Sequence, residues 1–211
     1  MIILSAFLMA ISQHPLGYGF LAFFSIIPII PFLLKLKSYR SALWHGFLWG
    51  FTYNFLTVFW IVTNIGTTQI IALITMILSV LILSVTSMLI FLLWCALNKR
   101  KINLVFLSFV WPSVELIRSY GSLGFPWVSI SNSLVEYNNI IQIIEYAGMY
   151  SLSALIILIN ILIYNFIIRR NLQSILILFL TISSSILFGV LIKSNYELDK
   201  DKDLKVAVIQ P

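Results

Sequence analysis

Between Ser41 and Asn98 the chain runs for 58 residues without a single Lys, Arg, Asp or Glu. Coiled as an α-helix at ~1.5 Å per residue, that run would be ~87 Å long, against a hydrocarbon core of ~30 Å. It therefore crosses a bilayer about twice, since no water-soluble core accounts for such a length. Only 9% of the 211 residues are charged and 61% are hydrophobic, where an ordinary soluble domain is roughly 25% charged. The runs are long and unbroken rather than alternating, which requires helices and not barrel strands. The expected fold is an all-α polytopic membrane helix bundle of six to seven transmembrane helices.

Apolar segments fall at about residues 2–12, 16–34, 41–63, 69–97, 102–121, 140–168 and 172–192. The first yields only ~18 Å of helix, too short to span. It has neither a basic leader nor a small-residue cleavage site, which argues against a signal peptide. It reads as a short or re-entrant helix, or as one continuous with the next segment. The connecting loops alternate in charge. KLKSYR (35–40), NKRK (98–101) and Arg169–Arg170 carry eight basic residues and no acidic one, whereas the loops around Thr63–Thr68 and Gly121–Asn139 carry no Lys or Arg. The positive-inside rule puts the basic loops in the cytoplasm, and so puts the 122–139 loop and the C-terminal tail outside.

The last residues change character. A charged linker at 194–203 leads into LKVAVIQP (204–211), an alternating stretch that reads as one β-strand buried on both faces. A lone strand cannot satisfy its own backbone, so it implies the opening of an α/β domain missing from these residues. The expected organisation is a transmembrane domain at 1–193, the linker at 194–203 and that first strand at 204–211.

Several function classes drop out. The net charge of +6 is scattered between apolar segments, with no basic stripe interleaved with aromatics, so no nucleic-acid partner is implied. Cys95 is the one cysteine and lies in FLLWCALN with no His or acid near it in sequence, so it reads as a buried structural thiol. His14, in a turn before Pro15, and His45 have no second ligand at metal spacing, so no metal and no cofactor are expected. Gly46 and Gly50, extended by Ala42, read as a seam of close helix packing rather than a dimer interface.

The stretch FVWPSVELIRSYGSLGFPWVSISNS (109–133) holds the candidate chemistry. Glu115 and Arg118 are three apart and would share a helix face, where they can pair. Ionisable groups in membrane segments are costly and face the protein interior or water. The pair reads either as the organiser of a lipid-headgroup site near the outer surface, or as a structural ion pair at a helix end with Arg118 snorkelling outward. Pro126 lacks an N–H and holds Phe125 extended, so the helix must break at GFPW. Phe125 and Trp127 then form either an ordinary interfacial aromatic belt or a rigid lip beside a cleft that admits lipid. Glu145 reads as a charge near the start of the next helix.

VELIRSYGSLGFPW resembles the membrane-domain motif of bacterial apolipoprotein N-acyltransferases, E-x-x-R-G followed by T-G-F-P-W. Glu115, Arg118, Gly124, Phe125, Pro126 and Trp127 match it, while Ser119 and Leu123 replace the glycine and the threonine. IIEYAGMYSLSALIILIN is similar to the family's G-x-x-x-L/I-S-F-L segment through Gly148, Ser151 and Asn160. QHPLGYGFLAFFSIIPII resembles its P-x-G-x-x-x-L-A-F stretch through Pro15, Gly17, Leu21, Ala22, Phe23 and Pro28, and KVAVIQP resembles the first strand of its nitrilase-like domain.

The resemblance implies transfer of an acyl chain from a phospholipid to a nitrilase-type cysteine, and from that thioester to the α-amine of a diacylglyceryl-cysteine lipoprotein. The cysteine, with a Glu base and an oxyanion-stabilising Lys, belongs to the domain beyond Pro211, so no catalytic residue is assigned here. Glu115, Arg118, Phe125, Pro126 and Trp127 are the substrate-binding candidates. The expected location is the bacterial inner membrane, and the chain is expected to be inactive alone. Its expected partners are phospholipid, lipoprotein and, in a split enzyme, a separately encoded nitrilase-like chain. The rival readings are a non-catalytic scaffold and a small transporter; the latter calls for paired broken helices around a midplane site.

Overall fold

The computed structural model describes residues 1–13, 16–121 and 124–194. Among them the chain is entirely helical. The His14–Pro15 turn, most of the charged linker and the 204–211 strand lie outside the described residues. Helices α1 (Ile2–Ile11), α4 (Tyr39–Thr57), α5 (Gln69–Lys99), α6 (Leu107–Arg118), α8 (Tyr150–Arg169) and α9 (Leu172–Ser194) form the bundle. Three short helices, α2 (Ala22–Ser25), α3 (Ile30–Lys35) and α7 (Ile144–Ala147), fill the connections.

Among the described residues three helices are long and apolar enough to cross a membrane: α5, α8 through Ile168, and α9. At 31 residues, α5 is ~46 Å of helix and overshoots a ~30 Å hydrocarbon core. Its start is capped by Thr68, whose Oγ1 accepts the Ile71 N–H at 3.4 Å, and α4 starts the same way from Ser38. The α4–α5 pair packs through the small-residue row. A Cβ on Gly46 would stand 2.8 Å from Met88 Cα, and one on Gly50 would stand 3.0 Å from Ser84 Cα. The glycine spacing thus serves packing within the bundle, as expected from sequence. By contrast, only 11% of the apolar span of α9 is buried, so this helix lies at the edge with its Ile, Leu and Phe side chains turned outward.

Three expected continuous segments are broken. Residues 16–34 do not form one helix. Pro28 and Pro31 each start a new piece, giving a 3₁₀ turn (Ile27–Ile29) between α2 and α3. Asn160 on α8 absorbs the polar groups this frees. Its Oδ1 accepts the Ile26 and Ile27 N–H groups at 2.9 and 3.2 Å, and its Nδ2 donates to the Ala22 and Ile156 carbonyls, both at 2.8 Å. The 102–121 segment is helical only over the twelve residues of α6. The 140–168 segment is interrupted at Gly148, whose φ of +71° stops α7 and lets α8 begin at Tyr150. Glu145 consequently sits exposed in the first turn of α7, not at the start of the long helix.

Two indoles fasten the layers. Trp49 on α4 donates its Nε1–H to Ser5 Oγ on α1 at 3.0 Å and meets Trp111 of α6 edge-on at 5.0 Å. Trp94 on α5 donates to the Leu33 carbonyl at 2.9 Å. Beside it, Asn98 Nδ2 lies within 3.1 Å of the Leu33, Leu34 and Leu36 carbonyls, which closes the C-terminal end of α3.

Candidate functional site

Helix α6 stops at Arg118, and the chain returns over its end as GFPW. Phe125 is extended (φ −138°), Pro126 opens a 3₁₀ turn (Pro126–Val128), and a second such turn spans Ile130–Leu134. The helix thus ends at Arg118, ahead of the break expected at GFPW, and Pro126 instead shapes the turn that follows.

Glu115 holds this returning segment from below. It is 2% exposed, and its carboxylate accepts the Ile130 N–H at 2.9 Å on Oε1 and the Ser153 O–H at 2.6 Å on Oε2. One side chain thereby joins α6, the segment after GFPW and α8. Arg118 does not close the expected ion pair with Glu115 among the described residues. Its Nη2 instead donates to Ser129 Oγ at 2.9 Å. The two side chains do share a face, but each has a nearer hydrogen-bond partner: the Ser129 hydroxyl for Arg118, and the Ile130 N–H and Ser153 hydroxyl for Glu115. From α4, the Tyr53 O–H donates to the Val128 carbonyl at 2.8 Å, and Asn132 Nδ2 donates to the Trp127 carbonyl at 2.6 Å. Residues 127–130 are thus tied down at every position by groups that water does not reach or reaches only at the edge.

Above this anchor the aromatic side chains of the motif project outward. Trp127 is 67% exposed; its ring centroid lies 5.5 Å from Phe125 and 6.0 Å from Trp60. Phe125, Trp127 and Trp60 form one rim of a cleft of about 760 Å³, whose other walls include Phe7 of α1 and Phe55 of α4. Among the described residues the lining is apolar except for Thr57 and Gln13. A space of this size and character suits a hydrocarbon-bearing ligand.

Of the five candidates read from sequence, Phe125 and Trp127 line the cleft, while Glu115 and Arg118 secure the loop that carries them. Pro126 shapes that loop. The far walls are not legible in sequence: Phe7, Gln13, Phe55 and Trp60 come from two distant segments, and nothing in the local pattern sets the three aromatics apart from other membrane aromatics or marks Gln13. Cys95 is fully buried between helices and takes no part in the cleft. No group of three or more His, Cys, Asp or Glu able to hold a metal occurs among the described residues.

The apolar exterior and the spanning helices define a polytopic membrane protein with an apolar cleft rimmed by aromatic side chains. Residues 5–162 match the family profile described as the apolipoprotein N-acyltransferase N-terminal domain. The chain belongs to that family. It is 26% identical over 179 residues to the apolipoprotein N-acyltransferase of Thermotoga maritima, an alignment covering 80% of this chain and 35% of the relative. It is 27% identical over 208 residues to that of Borreliella burgdorferi, covering 92% and 38%, and 25% identical over 136 residues to that of Pasteurella multocida, covering 64% and 26%. The chain thus spans about a third of the length of the curated relatives it matches.

Proposed function

We propose that this chain forms the membrane portion of an apolipoprotein N-acyltransferase. It would hold the acyl chains of a phospholipid donor, and those of a diacylglyceryl lipoprotein acceptor, beside the site of transfer. The observation that carries the reading is the apolar cleft rimmed by Phe125, Trp127 and Trp60, built on a loop anchored through Glu115. Phe125 and Trp127 contact the substrate; Glu115, Arg118 and Pro126 fix the loop that presents them.

The alternation of basic loops supports an inner-membrane protein with its GFPW loop and C-terminal end on the outer side. We read α4 and the broken helices as further crossings beside α5, α8 and α9, towards the six to seven expected from sequence. The thioester chemistry is assigned to a nitrilase-like domain, carried by the same polypeptide beyond residue 211 or by a separately encoded chain. A thioester route needs an accessible thiolate, and Cys95, the sole cysteine of these residues, is enclosed in the core. The linker at 194–203 and the strand at 204–211 are read as the approach to that domain.

Residues 1–211, expressed in bacteria depleted of the full-length enzyme, are expected to leave lipoproteins diacylated. Restored N-acylation would contradict the assignment of chemistry to a further domain. Co-expression with a nitrilase-like domain is expected to restore acylation, and its loss on emptying or blocking the cleft is the corresponding check on the lipid-holding role. A transporter is disfavoured by the family match over residues 5–162.

A further inference from the structure

Gln13 stands at the C-terminal end of α1. Its backbone is fixed there by the bond from its own N–H to the Ala10 carbonyl at 3.1 Å and by its carbonyl accepting the Leu16 N–H at 3.3 Å. Its side chain is 7% exposed, and its amide nitrogen Nε2 is buried with no hydrogen-bond partner. Leaving a buried donor unmade is costly, so such a group calls for an acceptor that arrives from elsewhere. Gln13 lines the apolar cleft described above, and it also borders a second, more polar depression shared with Trp127, Asn132 and Glu136. It therefore sits on the boundary where an apolar compartment gives way to a polar one.

A bilayer phospholipid has the same order of parts: hydrocarbon chains, then ester carbonyls, then headgroup. With the chains in the cleft, the ester carbonyl falls at the boundary. Among the described residues the cleft lining holds no Lys, Arg or His to pair a phosphate at that depth, whereas a neutral carbonyl is matched by the neutral amide of Gln13. We propose that Gln13 Nε2–H donates to an ester carbonyl of the phospholipid whose chains fill the cleft, which makes Gln13 a residue that sets the depth of the lipid. This rests on the lipid-holding reading of the cleft, and it assigns a role to a residue outside the GFPW motif.

The test compares a diacyl phosphatidylglycerol with its di-O-alkyl analogue, which lacks the carbonyls. Both carry brominated chains, and quenching of indole fluorescence is followed with the full chain in nanodiscs. The Trp60→Phe, Trp127→Phe double variant identifies the part of the signal that reports on the cleft. The wild type is expected to bind the diacyl lipid about tenfold tighter, which corresponds to ~1.4 kcal/mol. Gln13→Met, of similar shape but without a donor, is expected to bind both lipids equally, at the dialkyl affinity. Equal binding of the two lipids by the wild type, which needs no variant to fold, would overturn the inference while leaving the cleft reading intact. So would a preference that survives in Gln13→Met. Cleft quenching by neither lipid would overturn both readings. A cleft filled only by a diacylglyceryl-cysteine peptide would overturn the assignment to phospholipid.

Discussion

The underside and the upper side of the GFPW loop are built on opposite terms. Beneath it, Glu115, Ser153, Tyr53 and the Ile130 N–H form a buried set in which the carboxylate takes a bond on each oxygen, although Arg118 Nε and Ser131 Oγ nearby have no partner. Above it, Trp127 is largely exposed and Gln13 keeps an unmade donor at the wall of a cleft. A closed polar set in a low-dielectric interior rigidifies what it holds, and an open one invites a ligand to complete it. The chain places the first directly under the second, so the loop is fixed in advance and its outward face stays available.

The comparison breaks most visibly if the anchor is removed. Glu115→Ala strips the partners from the Ile130 N–H and the Ser153 O–H at once, and at ~1–3 kcal/mol for each buried group left unpaired the loss should reach ~3 kcal/mol or more. Thermal unfolding in detergent should register it as a large fall in midpoint, and an unchanged midpoint would show that the loop is held by packing alone. Gly46→Leu drives a side chain into the backbone around Met88 and is expected to cost ~1–3 kcal/mol by the same assay. Because the seam is internal, the oligomeric state on sizing should not move.

On the other side of the loop the effects should separate from stability. Trp127→Ala removes an exposed side chain, so its unfolding midpoint should change by no more than ~0.5 kcal/mol equivalent, while affinity for a diacyl lipid falls about tenfold. A stability loss as large as that of Glu115→Ala would erase the distinction between anchor and rim. The smallest effect is expected at Cys95→Ala. Its removal from the core should cost ~1 kcal/mol and leave lipid binding unchanged, which an alkylation-insensitive binding curve would also show.

Legibility from sequence followed the physics of each signal. The uncharged run announces a membrane bundle, and proline chemistry marks a helix break near GFPW, although α6 ends before it, at Arg118. Gly46 and Gly50 were readable as a seam because only a missing Cβ permits that approach. Helix spacing sets Glu115 and Arg118 on one face but knows nothing of the distant groups that meet them there, so the bonds to Ser129, Ile130 and Ser153 are not legible in sequence. The continuity of residues 16–34 was overestimated for a related reason. An apolar run conceals its proline breaks when a distant Asn160 satisfies the freed groups. Half of the cleft comes from α1 and α4, whose aromatics match every other lipid-facing aromatic in composition, so only their convergence in space distinguishes them.

The central claim is that acyl chains occupy the space between α1, α4 and the GFPW loop, and not merely the outer faces of the bundle. A phospholipid bearing a diazirine midway along one acyl chain tests it directly, with labelled positions mapped by mass spectrometry after irradiation in nanodiscs. The account expects adducts concentrated on Phe7, Phe55 and Trp60, competed away by excess unlabelled lipid. Labels confined to the lipid-exposed faces of α5 and α9, with none on the cleft walls, would contradict it.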